Sequence, residues 1–253
     1  MSGRILLALA TAGAVAAPAA GQSLERRIAD APDGSVRLSF AAREGVCGNG
    51  RNINFHRGSE RDGWDWQCDE GPVRVALDLR DGRVTGVRTY VGGRWRSLGS
   101  GVTDLGTVSA REAAEFFLDL AESGRSVRGD PITPAVLADS VTVWPRLLAI
   151  GKNGSLPRDM RRKAVFWLSQ DAGEAATQGL AELVGDERQD QDVREQAVFA
   201  LSQLDHDRGI PILIWLARSD RDPEIRKKAI FWLGQSEDPR AIALFEELLT
   251  AKP

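Results

Sequence analysis

Two histidines, two cysteines and a few closely spaced carboxylates are the first side chains to test for chemistry in this 253-residue chain. His56 and His206 lie in different halves. A Ser-His-Asp arrangement could be drawn on either, but no Gly-x-Ser-x-Gly turn is present to expose a serine nucleophile. His-Glu-x-x-His, Gly-x-Gly-x-x-Gly, phosphate-loop and Cys-x-x-Cys patterns are also absent. Asp190/Asp192 and Asp220/Asp222 fall in turns between helical segments, where a carboxylate caps a helix; acid–base work would need a cleft and a shifted pKa. Cys47 and Cys68 have only His56 nearby, too few ligands for a metal. In an oxidising compartment their spacing suits one disulfide, contributing about 3 kcal/mol by closing the loop between them. The sequence thus predicts no catalytic residue, no metal and no cofactor.

What the chain does repeat is a ten-residue phrase. RRKAVFWLSQ (161–170), REQAVFALSQ (194–203) and RKKAIFWLGQ (226–235) place Ala164, Ala197 and Ala229 at steps of 33 and 32 residues. Leu168, Leu201 and Leu233 keep that register, as do Gln170, Gln203 and Gln235. A catalytic motif is rarely written three times in one chain, whereas a stacked supersecondary unit is. Further on, Leu180, Leu213 and Phe245 align, as do Leu183, Leu216 and Leu248. One step back lie Leu147 and Ile150, so a degenerate fourth unit is expected, with its second helix in VTVWPRLLAI. Its first helix is either 110–122 or a shorter piece around 133–139.

The elements that carry these residues fall into two halves. Residues 1–21 read as a secretory signal, with Arg4 before an apolar run and small residues at the cleavage zone; the run is short and Ala/Gly-rich, poor material for a bilayer span. Residues 22–104 have strand grammar. VRVALDL (73–79) alternates, Asp81-Gly82 makes a tight turn, and VTGVRTYV (84–91) returns before Gly92-Gly93. With VRLSF (36–40) and NINF (52–55) around the cysteines, a small antiparallel β module with one disulfide is predicted. Trp64 and Trp66 would share a face if their segment is a strand, as core cover or as a carbohydrate or peptide platform. From about 105 the pattern is helical: Ser109 and Glu112 form a capping box, and Gly124 suits the helix end. A degenerate helical unit is expected over 105–156 and clear repeats over 157–253. Arg128-Gly129-Asp130 spells an adhesion tripeptide, a match short enough to arise by chance.

Each repeat reads as two antiparallel helices, with Asp222-Pro223 and Asp238-Pro239 placing an N-cap aspartate before a first-turn proline. Together with Ile225-Arg226, Ala229-Ile230, Leu233-Gly234 and Arg240-Ala241, these residues resemble the HEAT family, in particular its short bacterial branch named after phycobilisome lyases. Met160, Ala172-Gly173 and Asp207-Arg208 depart from the pattern in the other copies. The resemblance implies an α-solenoid that usually binds other proteins, and a tie between Arg161, Arg194 or Arg226 and a neighbouring acid. The fold class expected is α+β: the β module, then three clear HEAT-like repeats and one degenerate repeat.

At 100° per residue, Ala164 and Leu168 face the partner helix, while Phe166 lies about 200° away. That column, which the family normally leaves variable, holds Phe166, Phe199 and Phe231. The rings either pack along the ridge between first helices or under the β module, or form an exposed ladder for a partner. About 200° from Leu180, Leu213 and Phe245 lie Glu182, Trp215 and Glu247, a second candidate contact column. A formal charge of −3 with mixed patterning argues against nucleic acid as the partner. The expectation is a non-catalytic scaffold, exported to the periplasm or secreted, without a membrane span once matured, that binds another protein through its solenoid surface. A cell-wall or carbohydrate binder acting through the β module, and a lyase-like enzyme, are the alternatives.

Overall fold

A computed structural model describes residues 21–50, 52–55, 68–95, 101–170 and 173–250. The leader apart from Gly21, and His56, Trp64 and Trp66, lie outside the described residues. Among the described residues the order is α1 (Leu24–Ala29), β1 (Gly34–Phe40), β2 (Val46–Gly48), β3 (Ile53–Phe55), β4 (Asp69–Glu70), β5 (Val73–Arg80), β6 (Arg83–Val91) and β7 (Val102–Thr107). Helices follow: α2 (Ala110–Glu122), α3 (Ile132–Val136), α4 (Trp144–Lys152), α5 (Arg158–Leu168), α6 (Glu174–Gly185), α7 (Gln191–Ser202), α8 (His206–Ser219), α9 (Pro223–Gly234) and α10 (Pro239–Thr250).

The alternation in β1 and β5 does what period-2 patterning dictates. Val36, Leu38 and Phe40 are buried on one face, opposite Leu77, Val75 and Val73 in an antiparallel register. Asp81-Gly82 turns β5 into β6, and the larger sheet runs β6-β5-β1-β7. β7 pairs parallel with β1 and continues to Thr107, so the sheet is antiparallel except at this edge and runs past residue 104. The smaller sheet, β3-β2-β4, is antiparallel, and the Cys47–Cys68 disulfide ties β2 to the residue before β4. Gly92 turns beside it at φ +66, so close to the Gly48 carbonyl that no Cβ would fit.

The two halves share one core. Phe40 of β1 meets Phe117 of α2 with centroids 6.4 Å apart, and past β1 the chain bonds to the end of α3: Arg43 N–H donates to Leu137 O, and Asp139 N–H to Ala41 O. Ser109 accepts from the Glu112 N–H at 3.1 Å, the cap expected at the start of α2. α3 lies against α5 as α5 lies against α7, so the five-residue α3 stands where the first helix of the degenerate unit should be. α2 packs on α3 and α4. The sheet and α2 thereby close one end of the helical array. From α5 onward the first helices (α5, α7, α9) alternate with the second helices (α6, α8, α10). Ala164, Ala197, Ala229, Leu168, Leu201 and Leu233 are all buried in the shared core.

Candidate protein-binding surface

The central phenylalanines of the three copies meet in space. Phe166 of α5 and Phe199 of α7 stack nearly parallel, 6.4 Å between centroids and 5° between planes. Phe199 then touches Trp232 of α9 at 5.1 Å, and Trp232 meets Phe231 edge-on at 5.0 Å. At the other end Trp167 lies edge-on to Phe166 at 5.3 Å. Five rings therefore run in contact across three first helices. Such pairings add about 0.5–1.5 kcal/mol each beyond area burial. The ladder is only partly covered: Phe166 is 38% and Phe231 54% exposed, while Phe199 is half-buried. The rings pack along the ridge between first helices and also face outward. Trp232 is the member that sequence reasoning underrated. Its counterpart in α7 is the small, buried Ala200, and Trp232 itself reaches Phe199 of the preceding helix.

Near the N-terminal ends of the same first helices a second column ties the repeats together. Arg161 is almost wholly buried; its Nε donates to Gly151 O of α4, and its guanidinium reaches Gln189 and Asp190 ahead of α7. Arg194 repeats the arrangement one unit on, donating from Nε to Val184 O at 2.7 Å and pairing with Asp220 at 3.1 Å and Asp222 at 3.0 Å. Each arginine therefore bridges the preceding second helix to the acids before the next first helix. Asp222 also accepts from the Glu224 N–H, so one carboxylate both caps α9 and pairs with Arg194. Asp220 and Asp222 are thus spent on bridging and capping, whereas Asp190 bridges to Arg161 without a side-chain cap on α7 and Asp192 pairs with Arg158 at 3.5 Å.

Residues 180–253 match the family model for HEAT repeats. Over that stretch, from the second half of α6 to α10, the helical array is built of HEAT repeats. No curated protein matches the chain.

On the second helices of the HEAT array, Trp215 of α8 is 55% exposed. Its two flanking glutamates are each engaged: Lys152 donates to Glu182 at 2.8 Å, and Arg218 pairs with Glu247. The hydrogen bond and charge of Lys152 hold the Glu182 carboxyl below the usual range. Trp215 is therefore bordered by neutralised pairs rather than by free acids. The glutamine column sits at the helix ends, where Gln170 and Gln203 donate to the preceding serine hydroxyls.

The adhesion tripeptide is occupied structurally. Arg128 pairs with Asp78 at 2.5 Å, Gly129 turns at φ +94 against the Val87 carbonyl, and Asp130 accepts from Ile132 N–H and Thr133 Oγ1. On the outer face of the larger sheet, Trp95 lies under the Arg37 guanidinium at 5.3 Å and edge-on to Tyr90, so its ring is packed rather than offered as a platform. Among the described residues no group of three or more His, Cys, Asp or Glu could hold a metal, and no helix is long and apolar enough to cross a membrane.

Proposed function

We propose that the protein is an exported, non-catalytic scaffold that binds another protein through the outward edge of its HEAT array. HEAT repeats are commonly protein-interaction scaffolds. The observation that carries this reading is the partly exposed ladder of Phe166, Phe199, Trp232 and Phe231, a contiguous aromatic strip of the kind that marks interfaces. Trp215 supplies a second exposed aromatic anchor on the other set of helices. Export is supported by the leader-like residues 1–21 and by the disulfide, which suits an oxidising compartment such as the periplasm or the extracellular space.

Affinity capture from the native cell envelope tests the reading. The wild-type chain should retain a specific protein that is lost on Phe166→Ala, Phe231→Ala and Trp215→Ala combined. Identical captured sets for the two proteins would overturn it.

A further inference from the structure

The third HEAT repeat differs from the first two on one side only. Positions 177, 210 and 242 are equivalent, and so are 184, 217 and 249. Thr177, Ile210, Val184 and Ala217 are buried, yet Ile242 is 53% and Leu249 86% exposed. Val165 and Val198 are fully buried, while their equivalent Ile230 is open; Leu183 and Leu216 are buried, while Leu248 is open. The opposite side of the same helices stays closed. A Cβ on Gly179 would meet Leu148 of the preceding α4 at 2.5 Å, and its equivalent in α10, Leu244, is 1% exposed. Ile242 and Leu249 therefore mark the side on which a further repeat would stack, where among the described residues nothing packs, while Val165 and Leu183, the equivalents of Ile230 and Leu248, also reach back to Gly151 of α4.

Charge marks the same side. Arg161 and Arg194 each find carboxylates ahead of the next first helix. Arg226, their equivalent, donates only to the Asp220 and Arg221 carbonyls, and among the described residues it forms no ion pair. The end face thus offers an apolar patch of Ile230, Ile242, Leu248 and Leu249 beside a guanidinium whose two counterparts are both matched by acids.

We propose that this end face docks an amphipathic helix of another protein that begins with an acidic N-cap, seated as a further first helix would be. Its carboxylates meet Arg226, and its branched apolar residues cover Ile242 and Leu249. The chemistry is that of the existing joint, where Asp220 and Asp222 precede α9 and meet Arg194, and Ile225, Ala229 and Leu233 are buried. This surface is separate from the aromatic strip of the proposed function and stands or falls independently of it.

A fluorescein-labelled peptide of residues 220–236 is a direct probe, read by anisotropy against the full chain. Saturable binding is expected. It should weaken about tenfold or more with Arg226→Ala, or with Asp220→Asn and Asp222→Asn in the peptide, and be lost with Ile242→Asp. Ile242 is exposed, so that variant should keep the wild-type melting temperature, which separates lost docking from lost folding. Phe166→Ala should leave peptide binding unchanged. No saturation at millimolar peptide, or equal binding to Ile242→Asp, would overturn the proposal. So would a dimer in light scattering that Ile242→Asp converts to monomer, because the occupant would then be a second copy.

Discussion

Replacing Arg194 by alanine should be among the most damaging single changes in the helical array. The side chains of Arg194 and Asp220 are 6% and 5% exposed, and the guanidinium also serves Asp222 and the Val184 carbonyl. Truncation strands a buried carboxylate and a buried carbonyl together, a cost of about 3–5 kcal/mol. At a urea slope of about 2 kcal/mol/M, the midpoint should fall by about 1.5–2.5 M. Among the described residues the equivalent Arg226 contacts two turn carbonyls and no acid, so Arg226→Ala should cost only about 0.5–1.5 kcal/mol. Arg161→Ala should lie between, because its partner Asp190 is 38% exposed. Urea titrations of the three variants, followed by far-ultraviolet circular dichroism, give the order directly. Equal losses at 194 and 226, or a loss at 194 below about 1 kcal/mol, would refute the claim that this column couples the repeats.

Two further outcomes follow from named contacts. Reducing the Cys47–Cys68 disulfide, or replacing both cysteines by serine, should cost about 3 kcal/mol and, because sheet and helices share one core, lower the melting temperature of the protein; differential scanning calorimetry with and without reductant reads this. Asp238 supplies a pH dependence. The hydrogen bond from Arg240 holds its carboxyl at about 2, below the ordinary 3.8, although burial opposes the shift. A depressed folded-state pKa stabilises above the unfolded value and is lost as pH falls through the folded one. Between about pH 4 and pH 2 the wild type should therefore lose melting temperature faster than Asp238→Asn, and parallel curves would contradict this assignment.

The repeat period was legible because stacking demands the same small and branched residues at the same helical angles in every unit. Ala164, Leu168 and their equivalents announced the core and are buried in it. The strands were legible from alternation, and the turn at Asp81-Gly82 from its residues. The parallel pairing of β7 was not, because VTDLGT (102–107) lacks clean alternation and its partner, β1, is distant in sequence. The first helix of the degenerate unit was ambiguous for a related reason: at five residues, α3 is too short to show a period. For the candidate surface, the three phenylalanines could be placed on one face by angle alone. Whether they touched depended on the spacing of neighbouring helices, which no single repeat encodes. Trp232 joins the strip because Ala200 and Phe199 lie on the adjacent helix, a relation visible only in three dimensions. Glu182 and Glu247 looked available beside Trp215, but their cations come from the neighbouring second helices α4 and α8.

The claim that the aromatic strip binds a protein is tested most directly by titrating a captured partner into wild type and into Phe166→Ala/Phe231→Ala by calorimetry. Phe166 is 38% and Phe231 54% exposed and both rings also stack on neighbours, so the variant should melt somewhat lower but keep its helical fold at the assay temperature. At about 2 kcal/mol for each interface anchor, affinity should fall by two orders of magnitude or more. An unchanged dissociation constant in a variant that keeps the wild-type circular dichroism spectrum would contradict the account.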